Sequence, residues 1–82
     1  MTYQEREISK NQLEKLLQTL DLDEGIRIEN KSNMIFLNRS AKRYCVNIST
    51  QGNEEFFYCN GVKDVIDFLN RRVEQTARIF SY

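Results

Sequence analysis

Apolar residues occupy every second position from Tyr44 to Ile48. A Gly52-Asn53 pair follows, and then a second apolar run that ends at Cys59. Alternation with a period of two is typical of strands, and a glycine-containing pair between two such runs predicts a β-hairpin. The pattern therefore predicts strands at 43–50 and 54–59.

The register of this hairpin decides which aromatic side chains are exposed. A two-residue loop at Gly52-Asn53 would pair Ile48 with Phe57 and turn Phe56 and Tyr58 to the outer face. A three-residue loop would shift the register by one residue and bury these two rings instead. The two-residue loop is favoured, because glycine is not at the last position that a bulged three-residue loop prefers.

Two further strands, predicted at 26–30 and 34–38, precede this hairpin. Isoleucines alternate with charged residues in the first, and the second is apolar on both sides. If the four polar residues between the strands form the turn, Ile28 pairs with Ile35 and Ile26 pairs with Leu37. Met34 and Phe36 then lie on the opposite face.

Helices are predicted on both sides of the strands, at 10–20 and 61–79. Ser9 and Gln12 have the spacing of a capping box at the start of the first. The second is expected to carry a Glu74–Arg78 pair one turn apart. Its apolar residues recur at helical spacing: Val62, Val65, Ile66, Leu69, Val73, Ala77 and Phe80.

Together these elements predict an α+β fold in which residues 1–82 form a single domain. A helix, a four-stranded antiparallel meander and a C-terminal helix follow one another, with both helices packed on one sheet face. Residues 1–7 carry no period and are expected to be a loose tail. The predicted core is Leu13, Leu16, Leu17, Leu20, Ile26, Ile28, Ile35, Leu37, Val46, Ile48, Val65, Ile66, Leu69 and Val73.

Composition narrows the class of protein. The chain has 82 residues, no proline and a formal net charge of zero. There is no apolar run of transmembrane length and no signal-peptide core, so a cytoplasmic protein is expected. Two cysteines, Cys45 and Cys59, are too few for a disulfide framework and are expected to be reduced thiols. A chain this small has little net stability, so a homodimer or a bound partner would stabilise it.

The residue types argue against an enzyme. With no histidine, the chain has no imidazole base and no imidazole metal ligand. Its three glycines, Gly25, Gly52 and Gly61, form no phosphate-binding loop. A protein without catalytic residues, metal or cofactor is therefore expected.

The predicted outer sheet face is the candidate binding surface. Exposed aromatic side chains among small polar ones mark an interaction surface, and basic residues of the loops would form its rim. The candidate residues are Met34, Phe36, Asn47, Phe56 and Tyr58 on the face and Lys31, Arg39, Lys42 and Arg43 in the loops. The competing interpretations are that the Met1–Glu7 tail or a second copy covers this face, and that the basic loops are merely solvated.

Two functions compete for this face. One is a protein-binding module that acts by stoichiometric contact. The other is a single-stranded nucleic-acid-binding or regulatory protein, in which aromatic rings stack on bases and basic loops contact phosphates. The zero net charge and the acidic surplus of the first 30 residues favour a protein partner. No membrane association is expected.

The second half of the chain also resembles a family in its layout. Residues 46–55, Val-Asn-Ile-Ser-Thr-Gln-Gly-Asn-Glu-Glu, lead to a helix containing Val65-Ile66-Asp67-Phe68. This order is similar to that of small phage or mobile-element proteins such as the anti-CRISPR proteins. The resemblance implies an inhibitor or accessory factor that binds its target without a cofactor. Many such proteins are acidic DNA mimics, and this chain is not acidic overall.

Overall fold

A computed structural model describes residues 5–82 and shows six strands and two helices. The predicted strands and the first helix are present with bounds within a residue or two of those expected. In chain order the elements are β1 (Arg6–Ile8), α1 (Lys10–Thr19), β2 (Gly25–Glu29), β3 (Met34–Arg39), β4 (Tyr44–Thr50), β5 (Asn53–Cys59), α2 (Val62–Asn70) and β6 (Arg78–Ser81).

All six strands form one antiparallel sheet with the order β1-β6-β2-β3-β4-β5. The predicted meander is β2 to β5, and Ile28 lies opposite Ile35 as expected. The last strand of the chain, β6, lies between β1 and β2. The fold is therefore α+β as predicted, and its sheet has two more strands than the sequence pattern indicated.

The predicted helix 61–79 is wrong in its second half. Helix α2 ends at Asn70, and Arg78–Ser81 form β6. The β2–β3 turn binds the connection between α2 and β6. The side chain of Asn30 donates a hydrogen bond to the carbonyl of Arg72 at 2.9 Å. Val73 and Ala77 still pack against the core, which explains why helical spacing continued beyond the helix.

The expected loose tail at residues 1–7 also needs correction. Arg6, Glu7 and Ile8 form β1, which pairs with β6. The two strands missed by sequence pattern are thus each other's neighbours, and neither is long enough to show a period. Residues 1–4 lie outside the described residues.

Both helices pack on the same face of the sheet. Leu17 of α1 and Leu69 of α2 are buried in one core with the inward side chains of the strands. The hydroxyl of Tyr44 donates to the carbonyl of Leu17 at 2.8 Å, which ties α1 to β4. The predicted core is confirmed, with Leu16, Ile66 and Val73 only partly buried; the structure adds Ile8, Tyr44, Cys59 and Ile79.

The β4–β5 hairpin has a different register from both alternatives. Its loop is Gln51-Gly52, so Ile48 lies opposite Glu55 and not opposite Phe57. Both loop residues have positive φ, 40° and 90°, as a type I′ turn requires. The register differs by two residues from the favoured one, and a shift of two leaves every side chain on its predicted face. Phe56 and Tyr58 therefore point outward as predicted.

Candidate interaction surface

One face of the sheet is covered by α1 and α2, and no helix of residues 5–82 packs on the other. Because strand side chains alternate between faces, the strand register assigns each residue to one of them. We call the second face the open face. Its side chains are those of Glu7, Arg27, Glu29, Met34, Phe36, Asn38, Cys45, Asn47, Ser49, Glu54, Phe56, Tyr58, Arg78 and Phe80.

A row of directly opposed residues crosses the open face. Phe80 of β6 lies opposite Arg27, which lies opposite Phe36, and the row continues through Asn47 to Phe56 at the β5 edge. Three aromatic rings therefore alternate with two polar side chains across five strands. Such rows bring Cβ atoms of neighbouring strands to about 4.5–5.5 Å, so the five side chains form one continuous surface.

Exposure on the open face rises toward β5. Phe36, Asn47 and Met34 are half-buried by their neighbours. Phe56 and Tyr58 expose 63% and 56% of their surface. Exposed large aromatic rings in one place mark a surface for association more often than scattered apolar residues do.

Charges near β6 and β2 are compensated within the chain. The guanidinium of Arg27 lies 4.6 Å from the ring centre of Phe80 and forms ion pairs with Glu5 and Glu29. Glu7 and Arg78 form a further ion pair at 3.0 Å, which lowers the pKa of Glu7. This side of the open face therefore presents little net charge.

The end of the open face around Tyr58 carries positive charge that no ion pair within residues 5–82 compensates. The guanidinium of Arg43 lies 4.3 Å from the ring centre of Tyr58. Ser40 closes the β3–β4 loop by donating its N–H and its hydroxyl to the carbonyl of Arg43, at 2.7 Å and 2.8 Å. Within residues 5–82, neither Arg43 nor its neighbour Lys42 forms an ion pair.

The other two basic residues predicted for the rim, Lys31 and Arg39, lie apart from Lys42 and Arg43. Lys31 is in the β2–β3 turn, at the opposite end of β3 from Lys42 and Arg43, and its backbone N–H donates to Glu74 at 2.8 Å. Arg39 lies at the end of β3 on the covered side, where its Nη1 donates to the carbonyl of Leu20 at 2.8 Å. Lys42 and Arg43 thus lie at the Tyr58 end of the open face, Lys31 lies at the Met34 end, and Arg39 is bound toward α1.

Three residues of this surface were not among the predicted binding residues. Phe80 and Arg27 belong to the central row, and the ring of Tyr82 lies over Gly25 so closely that a Cβ there would be 2.6 Å from it. Burial raises the pKa of the Tyr82 hydroxyl. The signal that could have found Phe80 is the Ile79-Phe80 pair, since β-branched and aromatic neighbours favour strands.

A shallow depression of about 390 Å³ lies on the open face beside Tyr82. Glu5, Asp23, Arg27, Phe36 and Tyr82 line it. Two of these residues are aromatic, two are acidic and one is basic. The basic residue, Arg27, already forms an ion pair with Glu5. The depression extends the open face and adds no distinct chemistry to it.

The two cysteines lie on opposite faces of the sheet. Cys45 lies on the open face and Cys59 on the covered face, so the two thiols cannot form a disulfide within the chain. Burial raises the pKa of the Cys59 thiol, which disfavours the reactive thiolate. Within residues 5–82, no group of histidine, cysteine or acidic residues could hold a metal ion.

Across the described part of the chain, neither helix has the length and apolar character needed to cross a membrane. Comparisons with protein-family models, with curated proteins and with solved structures found no match to this chain.

Proposed function

We propose that this chain is a non-enzymatic protein-binding module whose open face is the contact surface. The observation that supports the proposal is the one-sided covering of the sheet. Two helices bury one face, while Phe56 and Tyr58 stand more than half exposed on the other. Association with a partner would remove this apolar surface from water.

The proposed partner is a protein with an apolar centre and an acidic group at its edge. Phe36 and Phe56 would fill the apolar contact, since large aromatic side chains carry much of the energy of interfaces. Arg43 and Lys42 would face the acidic group, because their charges have no ion-pair partner within residues 5–82. The compensated ion pairs around Arg27 would form the polar rim on the other side.

Within this class we propose the role of a stoichiometric inhibitor or accessory factor of a phage or mobile element. The layout of the β4–β5 hairpin followed by α2 supports it. The zero net charge of the chain argues against a DNA mimic, because a mimic needs an extended acidic surface.

The second candidate is a single-stranded nucleic-acid-binding protein. The observation in its favour is the grouping of Phe56, Tyr58, Arg43 and Lys42, since stacking rings beside uncompensated cations form such sites. Against it, Arg43 already stacks on Tyr58, and the acidic Glu54 lies on the same face at the other end of β5. A protein partner is therefore the first proposal.

The experiment is affinity capture from a lysate of the native host, with wild type and the variants Phe36→Ala and Tyr58→Ala. The matched control is Leu22→Ala. Leu22 lies in the α1–β2 loop, outside the strands that form the open face, and its exposed fraction of 63% equals that of Phe56. The captured protein is then purified and titrated against each variant.

We expect both open-face variants to bind the purified partner more weakly, with Leu22→Ala unchanged. Equal affinity for all four proteins would exclude the open face as the contact surface. Recovery of nucleic acid alone, with binding that falls steeply as salt is raised, would favour the second candidate.

A further inference from the structure

The edge strand β5 has an unused side. It pairs with β4 on one side, and no strand of residues 5–82 pairs with the other. At seven residues it is more than twice as long as β1, the strand at the opposite edge. It carries no proline or lysine, the residues that commonly block pairing at an edge.

The register shows which backbone groups of β5 are free. The two-residue loop at Gln51-Gly52 is closed by the pair Thr50–Asn53. Hydrogen-bonded and non-hydrogen-bonded pairs alternate from there, so the N–H and C=O groups of Glu54, Phe56 and Tyr58 point away from β4. These groups are available to a further antiparallel strand.

We infer that β5 pairs antiparallel with β5 of a second copy of this chain, with Phe56 on the two-fold axis. The inference does not rest on the proposed function, since the free backbone groups of the β5 edge carry it, although Phe56 and Arg43 belong to both surfaces. In this register Phe56 lies opposite Phe56 of the second copy, and Glu54 lies opposite Tyr58. The two sheets would join into one sheet of twelve strands with both open faces on the same side.

Charge complementarity on the open face supports this occupant. Glu54 and Glu55 lie at the start of β5, and Arg43 lies over the ring of Tyr58 near its end. Antiparallel pairing about Phe56 brings Glu54 of each copy beside the Arg43 that stacks on the opposing Tyr58. Neither side chain has an ion-pair partner within residues 5–82 of its own copy.

The covered face offers a second complementary pair. Glu55 points to that side, and its opposite residue in the second copy would be Phe57. The guanidinium of Arg72 lies 5.6 Å from the ring centre of Phe57 and 3.7 Å from that of Phe68. Glu55 of each copy would therefore approach Arg72 of the other. Both acidic residues of the strand thus find a cation across the same two-fold axis.

The same charges disfavour two competing arrangements. Parallel pairing would place the two acidic segments side by side. An antiparallel register centred on Glu55 would set two carboxylates directly opposite each other, which is destabilising. Glu54 and Glu55 thus disfavour nonspecific pairing at this edge and favour the register centred on Phe56.

The test is sedimentation velocity of the purified chain over a wide concentration range. We expect a reversible monomer–dimer equilibrium. Glu55→Arg should weaken dimerisation about tenfold, because it places a cation against Arg72. The double variant Glu55→Arg/Arg72→Glu should restore it. Glu14→Arg, which makes the same charge change on the exposed side of α1, should leave the equilibrium unchanged.

A second pair of variants tests the backbone contact. Phe56→Pro removes one outward N–H and no hydrogen bond to β4, whereas Phe56→Ala keeps that N–H. We expect the alanine variant to dimerise and the proline variant to remain monomeric, with thermal unfolding showing that both are folded.

A monomer at every concentration, or a dimer unaffected by Glu55→Arg and Phe56→Pro, would overturn the inference. Because Glu55 is on the covered face, its variants leave the open face intact, so failure here is separate from failure of the proposed function.

Discussion

The two faces of this sheet are built from the same strands and held in different ways. On the covered face, Ile26, Ile35 and Val46 have no exposed surface and pack beneath two helices. On the open face, side chains are ordered by their lateral neighbours, as when Arg27 contacts Phe80 and Glu5. The first arrangement stabilises the fold through buried area. The second keeps aromatic rings in place and leaves them accessible.

The difference shows how a short chain can separate stability from recognition. Alternation along a strand lets one residue serve the core while the next serves the surface. Phe56 and Phe57 are adjacent in β5, yet Phe57 packs against Phe68 of α2 with ring centres 4.9 Å apart, and Phe56 is exposed. Substitutions on the two faces should therefore have separable effects.

The largest expected effect is on the covered face. Leu69→Ala should reduce the free energy of unfolding by about 2–5 kcal/mol, because Leu69 is 1% exposed and its removal leaves a cavity between α2 and the sheet. Phe36→Ala on the open face should cost about 1 kcal/mol. Denaturant titration measures both values. Equal losses would mean that the open face contributes to the core as much as the covered face does.

Much of the covered face could be predicted from sequence, because period-two alternation in β2 and β4 assigns each apolar side chain to one side, and pairing with β2 assigns those of β3. The β4–β5 hairpin shows the limit. Its loop uses Gln51 in a conformation that glycine or asparagine usually adopts, so local preference favoured Gly52-Asn53. The face assigned to each side chain was nevertheless correct, because the predicted register differed from the observed one by two residues.

The two missed strands had no local signal strong enough to find them. β1 has three residues, and β6 follows apolar positions that keep helical spacing as far as Phe80. Their structure depends on partners distant in sequence: Arg78 pairs with Glu7 rather than with Glu74 as predicted, and Glu74 binds Lys31 and Ser32. The candidate site was accordingly predicted on β3 to β5 and missed on β6.

The next effect tests close packing on the open face. In Gly25→Ala the new methyl group would meet the ring of Tyr82 and the Oδ1 of Asn38 at 2.6–2.7 Å. We expect a loss of about 1–3 kcal/mol in the free energy of unfolding. Gly61→Ala is the matched control, because nothing lies within 4 Å of a Cβ at that position. A neutral Gly25→Ala would show that Tyr82 moves aside freely.

A smaller effect concerns the connection that ends α2 and leads to β6. The carboxylate of Glu74 accepts the N–H of Lys31 at 2.8 Å and the hydroxyl of Ser32 at 3.0 Å, and these bonds lower its pKa. A carboxyl group with a lowered pKa stabilises the fold fully above its unfolded pKa, and this contribution is lost as pH falls through the folded value.

Glu74→Gln should therefore be less stable than wild type at neutral pH. The difference should shrink below the ordinary glutamate pKa of about 4.3. Urea titrations of both proteins at a series of pH values measure it. A difference that does not depend on pH would show that the Glu74 charge is not what holds this connection.

The smallest effect concerns the turn that decides which face Phe56 uses. Gln51 has φ of 40°, a left-handed conformation that asparagine tolerates better than glutamine. Gln51→Asn should raise the free energy of unfolding by about 0.5 kcal/mol without changing the register. Thermal unfolding measures the gain, and a loss of stability would argue against a type I′ turn at Gln51-Gly52.

The most direct test of the central claim compares two equally exposed apolar residues, Phe56 on the open face and Leu22 outside it. Each is changed to alanine, and each variant is titrated calorimetrically with the purified protein partner. The account predicts weaker binding for Phe56→Ala, unchanged binding for Leu22→Ala, and free energies of unfolding close to wild type for both. Wild-type affinity in Phe56→Ala, with Leu22→Ala equally unaffected, would contradict the claim that the open face is the binding surface.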